Sequence, residues 1–109
     1  MVSTWYGQIP SHLMQRFAQV KVVICDIDCV FSDGRIYLGN QVEELKAFLT
    51  RDGLGVKALR SAGIEVGVIT GRSSQIVTKS MEALGVPYIY QGQEQKQPAF
   101  DDILATLGL

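Results

Sequence analysis

At 109 residues, 47% hydrophobic and 19% charged, with a formal net charge of −1, the chain has the composition of one soluble globular domain with a modest core. That balance excludes a disordered tail and gives no basic field for nucleic acid, so any phosphate handled here needs local cations. No apolar run reaches membrane length and none before Val20 has the form of a signal peptide, which predicts a cytoplasmic protein with no membrane partner.

Leu13, Met14, Phe17 and Val20 recur at helical spacing behind Pro10-Ser11 and predict a short amphipathic helix, followed by a first strand from Lys21 to Asp26. Ile36-Tyr37-Leu38, Gly39-Asn40 and Val42 to Phe48 then read as a β-hairpin, roughly residues 35–48, turning at Gly-Asn and projecting from the sheet as a flap. Asp52 is placed to cap a helix that carries Val56, Leu59 and Ala62 and stops at Gly63, ahead of a strand from Ile64 to Thr70. Ser73 or Ser74 can open the next helix, which bears Ile76, Val77, Met81 and Leu84, closes at Gly85 and leads to a strand from Pro87 to Tyr90. A last helix with Pro98 in its first turn runs through Phe100, Ile103, Leu104 and Leu107 to Gly108. Strands alternating with helices predict a single α/β domain over residues 1–109, a Rossmann-like three-layer α/β/α arrangement with a parallel sheet.

The acids Asp26 and Asp28 stand where the first apolar strand surfaces, in Asp26-Ile27-Asp28-Cys29-Val30-Phe31-Ser32-Asp33-Gly34. If extended geometry holds through Asp28, both carboxylates face one side and one phosphate or cation; the plainer reading is solvated or capping acids in a turn. Ligands of open α/β sheets gather at this end of the strands. Thr70-Gly71-Arg72 ends the second strand with a hydroxyl, a residue that permits close backbone approach and a guanidinium, all suited to anionic oxygens, or else an ordinary helix start with a surface arginine. Lys96, after the third strand, can return over the sheet as a point charge, or stay solvated. In Thr50-Arg51-Asp52-Gly53 the arginine can pair with an anion, or the segment does no more than cap the helix through Asp52. Cys25 and Cys29 are too few for a disulfide framework or a zinc site, and His12 is the only histidine.

Taken together, Val22 to Gly34, the flap segment Gly39 to Lys46, Thr50 to Gly55, Ile69 to Arg72, and Tyr90 to Gln93 with Lys96 resemble the haloacid dehalogenase-like phosphatases, and more narrowly the 3-deoxy-D-manno-octulosonate 8-phosphate phosphatases of lipopolysaccharide sugar synthesis. The resemblance implies an aspartyl-phosphate mechanism, with Asp26 as nucleophile, Asp28 as acid and base, and Thr70 and Lys96 on the phosphoryl oxygens. It implies Mg²⁺ held by the Asp26 carboxylate and the Asp28 carbonyl. A phosphosugar acid would be read at Arg51, Asp52, Gly53, Gly71 and Arg72, in a homo-oligomer, the family's tetramer assembled through its flaps.

The same resemblance marks departures. The family carries Gly at Cys29 and usually at Val42, commonly His or Asn at Leu49, and typically Arg at Ser80. It continues past the position of Leu109 into a strand ending in Gly-Asp-Asp, which supplies another Mg²⁺ carboxylate. These differences predict weak Mg²⁺ binding, an incomplete sheet with an open edge on the first strand, and an alternative role as a catalytically degenerate remnant, or as a non-enzymatic subunit associated with a full-length homologue.

Overall fold

A computed structural model describes residues 1–109. Three parallel strands form the central sheet: β3 (Val22–Cys25), β6 (Glu65–Ile69) and β7 (Tyr88–Tyr90), in the order β3-β6-β7. Parallel neighbours require long crossovers, and helices supply them: α2 (Thr50–Ser61) before β6, α3 (Gln75–Ala83) before β7, and α4 (Gln97–Leu107) after it.

The period-two alternation of β6 sets the layers. Val66 and Val68 face one side and pack with Ile27, Phe31, Val56 of α2, and Val77 and Met81 of α3. Ile69 faces the other, where Ala99 and Ile103 of α4 cover it alongside Val22 and Ile24. Gly67 shares that second face, and a Cβ there would lie 3.2 Å from Ile103 Cδ1, so its lack of a side chain lets α4 sit close to the sheet. The expected three-layer α/β/α order is thus present, built on three strands. β3 is paired on its β6 side alone and ends the sheet.

Several local expectations change. Ahead of Leu13 the chain forms a hairpin that its sequence pattern did not predict, β1 (Val2–Thr4) against β2 (Gly7–Ile9). Thr4 closes it: the hydroxyl donates to the Gly7 carbonyl at 2.7 Å and accepts from the Tyr6 N–H at 3.2 Å. The first helix, α1 (Ser11–Phe17), stops short of Val20 and fully buries none of its residues. The flap strands are only β4 (Tyr37–Leu38) and β5 (Glu44–Leu45), so the hairpin is shorter than residues 35–48. Its turn is not the expected two-residue Gly-Asn. The Val42 N–H bonds back to the Gly39 carbonyl at 3.0 Å and Val42 takes φ 63°, the left-handed step that follows the turn in a three-residue loop.

Asp52 does not cap α2: Leu49 occupies that position without a side-chain bond, and Asp52 lies inside the first turn, where a negative charge favours the helix dipole. Of the two serines proposed for α3, Ser74 is the cap, accepting from the Ile76 N–H at 3.2 Å. Pro98 sits in the first turn of α4, as expected, and Gly108 ends it at φ 73°. No helix is long and apolar enough to cross a membrane.

Candidate active site

The extended geometry that would align Asp26 with Asp28 ends at Cys25. Ile27 turns inward to full burial, and its carbonyl accepts from the N–H groups of Val30, Phe31 and Ser32, winding the chain into a tight turn. The two aspartates are therefore placed by this turn and not by strand alternation. Cys29 pays for it with φ 68°, a conformation that costs a side-chain-bearing residue about 1 to 3 kcal/mol.

Asp26 is the better furnished of the pair. Its Oδ2 lies 2.7 Å from Lys96 Nζ, and its Oδ1 accepts the Ile27 N–H at 2.7 Å. The Thr70 hydroxyl also favours its ionised form. Partial burial pushes the Asp26 carboxyl up, but Lys96, the Ile27 N–H and Thr70 together outweigh it and hold the group below its ordinary value. Thr70 is itself buried, fixed at the mouth of the sheet by its N–H to the Tyr90 carbonyl and its carbonyl to the Gln93 N–H. Lys96 occupies the N-cap position of α4, so the packing of that helix against β6 sets where its ammonium falls. The structure thus unites Asp26, Thr70 and Lys96 from the ends of all three strands.

Asp28 belongs to a second set of contacts. Lys46 Nζ donates to its Oδ1 at 2.8 Å, and the Ser32 hydroxyl donates to the same oxygen at 3.4 Å. Lys46 also stands 3.6 Å from Glu44 Oε1, and Glu44 Oε2 is 3.6 Å from Arg72 Nη2. A chain of charges Asp28-Lys46-Glu44-Arg72 therefore ties the flap to the ends of β3 and β6. The sequence patterning singled out neither Glu44 nor Lys46 as a site residue. Their signal was present: opposite charges two apart at a strand share one face, with Leu45 pointing away.

Arg51, Asp52 and Gly53 are not brought to this cluster. Asp52 and Gly53 line a separate cleft of about 440 Å³ with Phe31, Phe48, Ser80 and Leu84, to which Asp26, Asp28, Thr70 and Lys96 contribute nothing. Arg51 is exposed on α2 and takes no part in that cleft. Gly71 is exposed, and a Cβ on it would meet nothing within 4 Å, so no neighbouring atom of this chain demands glycine there.

The donors for a divalent cation are right in kind and few in number. Asp26 and the Asp28 carbonyl offer oxygen, which suits Mg²⁺, but no group of three or more His, Cys, Asp or Glu side chains gathers into a cage.

Asp26, Thr70 and Lys96 thus meet at the carboxyl end of a parallel α/β sheet, an acidic turn after its first strand, a buried threonine after the second and a lysine after the third, in a fold of the haloacid dehalogenase-like class. No family-wide sequence model matches the chain. It is 45% identical over 106 residues to the 3-deoxy-D-manno-octulosonate 8-phosphate phosphatase of Yersinia pestis, an alignment covering 97% of this chain and 57% of that protein. A solved structure from Vibrio cholerae, described as a candidate phosphatase of the same name, superposes with a TM-score of 0.93 at 57% identity, covering 99% of this chain and 60% of the other. The Moraxella catarrhalis phosphatase of that name, solved with magnesium, phosphate and a KDO molecule, matches at TM-score 0.85 and 38% identity over 90% of this chain and 56% of its own.

Along nearly its whole length the chain resembles the 3-deoxy-D-manno-octulosonate 8-phosphate phosphatases and shares the fold of their haloacid dehalogenase-like superfamily. It spans less than two thirds of the length of these relatives.

Proposed function

We propose that this chain carries the phosphoryl-transfer centre of a phosphatase acting on 3-deoxy-D-manno-octulosonate 8-phosphate. The observation that carries this reading is the 2.7 Å contact between Lys96 and Asp26, which keeps a carboxylate ionised beside a cation suited to phosphoryl oxygens. The substrate is taken from the relatives' names.

In the first step an Asp26 oxygen attacks phosphorus, the bond from phosphorus to the sugar oxygen breaks, and the departing alkoxide takes a proton from Asp28. In the second, water attacks the aspartyl-phosphate and gives its proton to Asp28, releasing phosphate and restoring the Asp26 carboxylate. Lys96 has three N–H donors and one contact to Asp26, so it can also reach a phosphoryl oxygen. Thr70 offers its hydroxyl from a buried, fixed position. Asp26 and the Asp28 carbonyl would hold Mg²⁺, weakly, since no group of three or more acidic side chains gathers beside them and water or phosphate must complete the shell. A bound cation would neutralise charge on the phosphoryl oxygens. Arg72, flanked by Gly71, is the substrate contact the geometry favours for a sugar carboxylate, once Glu44 yields its place.

Phosphate release from the sugar phosphate by the purified chain, with and without Mg²⁺, tests the proposal. Metal-dependent release that is lost in Asp26→Asn supports it, and no release sinks it for this chain.

A second reading is favoured by the two strained residues, Cys29 at φ 68° and Val42 at φ 63°. Both are side-chain-bearing residues in a conformation that glycine takes freely, one beside the nucleophile and one in the flap turn. In that reading the chain keeps the fold without turnover and associates with a full-length homologue. Co-purification of the two chains tests it, and a monomer with no affinity for the homologue counts against it.

A further inference from the structure

Lys46 is the most enclosed cation of the site. Its side chain is 1% exposed, although the flap segment that bears it lies at the surface. An ammonium removed from water needs charged or hydrogen-bonding partners, and here the close one is Asp28 Oδ1 at 2.8 Å. Glu44 lies too far from Lys46 for a hydrogen bond, and its buried Oε1 has no hydrogen-bond partner at all. The lysine is therefore committed to Asp28 and not to its neighbour on the flap.

Both donors to Asp28, Lys46 and the Ser32 hydroxyl, fall on Oδ1. That leaves Oδ2 as the oxygen free to carry a proton, because a carboxylic acid that accepts hydrogen bonds at one oxygen holds its hydrogen on the other.

We propose that Lys46 is a positioning residue of the flap, which pins Asp28 through Oδ1 so that Oδ2 alone delivers a proton to the departing sugar oxygen and later receives one from water. This rests on the phosphatase reading above. The atoms balance as in that mechanism: the proton leaves Oδ2 for the alkoxide when the phosphorus–oxygen bond breaks and returns to Oδ2 from the water that cleaves the aspartyl-phosphate. Lys46 exchanges no proton. Its contribution is orientation, and its loss leaves the nucleophile Asp26 and its partner Lys96 in place.

Two substrates separate this role from mere support of the fold. An alkyl leaving group such as the sugar needs the proton, whereas p-nitrophenolate departs without one. In Lys46→Met, first-turnover cleavage of the sugar phosphate is expected to fall on the order of 10²-fold, while the first-turnover burst of p-nitrophenolate changes only a few-fold. Lys46→Arg, which keeps the charge, should recover part of the loss. Equal slowing of both substrates, or slowing of neither, overturns the proposal.

A second measurement does not depend on turnover. Acylation of lysines by N-hydroxysuccinimidyl acetate, followed by mass spectrometry, should modify Lys46 far more slowly than the exposed Lys57, and Asp28→Asn should speed the modification of Lys46. Lys46 reacting as fast as Lys57 in the unmutated chain, or unaffected by Asp28→Asn, overturns the tie. Should the unmutated chain cleave neither phosphate ester, the phosphatase reading falls, and the acylation result alone decides whether Lys46 holds Asp28.

Discussion

Lys96 Nζ and Asp26 Oδ2 meet at 2.7 Å from positions seventy residues apart in the chain. The contact crosses the carboxyl end of the sheet, from the turn after β3 to the first turn of α4. Nothing between them in sequence holds the pair, so the placement of Lys96 against Asp26 is a property of helix packing.

Replacing Lys96 by Met removes the strongest donor to Asp26. The carboxyl should then rise toward its ordinary value, since partial burial is left opposed only by the Ile27 N–H and Thr70. Loss of one such electrostatic partner typically costs about 10²- to 10³-fold in the chemical step. Single-turnover phosphate release measures the rate, and NMR titration of Asp26 measures the carboxyl.

Ile103 anchors the helix that presents Lys96. It is fully buried between α4 and the sheet, and its truncation to Ala should cost about 2 to 5 kcal/mol in a denaturant titration. In a sheet of three strands that is a large share of the total, so the variant should also lose the Lys96 contact before it unfolds completely. Disappearance of the depressed Asp26 titration under mild denaturant would show it.

The Asp26 contacts also make stability depend on pH. The folded-state value of the carboxyl lies below its unfolded value, so the stabilisation is present above the ordinary carboxylate range and disappears as pH falls through the folded value. Because Asp26 is 38% exposed, the effect is screened and should be modest. The difference in denaturation midpoint between the unmutated chain and Asp26→Asn should shrink in this acid window and stay constant above it.

Cys29→Gly and Val42→Gly should each stabilise the chain, by about 1 kcal/mol, because both positions hold a positive φ that glycine adopts without a Cβ clash. Val42 is β-branched and fully within the flap turn, where the gain should be the larger. Denaturant midpoints measure both, and an unchanged or lower midpoint would remove strain as the explanation for either residue.

The thiols should differ in reactivity. Cys29 is exposed on its turn, whereas Cys25 is half-buried in β3 and burial pushes its thiol up. Iodoacetamide at neutral pH should therefore label Cys29 well before Cys25, as read by peptide mass spectrometry.

Local chemistry made much of the scaffold legible. Ser74 caps α3 because its hydroxyl reaches an N–H two residues on, and Pro98 opens α4 because its missing N–H has no partner to lose. The hairpin at Val2–Ile9 escaped because its turn depends on one threonine hydroxyl and a glycine at φ 120°, with only three residues in each strand to announce it. Asp52 has the chemistry of a cap but lies inside the first turn, because Leu49, with no side-chain acceptor, occupies the cap position.

Strand and helix periods, their order, and the acids, hydroxyl and cations at strand ends are legible in the chain and fix its α/β class. Those are short-range properties, settled by side-chain spacing and backbone preference within a few residues. The partners are set by long-range packing, which gives Lys96 to Asp26, Lys46 to Asp28 and Glu44 to Arg72 and leaves Asp52 and Gly53 in a different cleft. Charges separated by tens of residues meet only when the apolar faces of β6 and α4 and the turn of the flap have fixed their distance, and no spacing in the sequence encodes that distance.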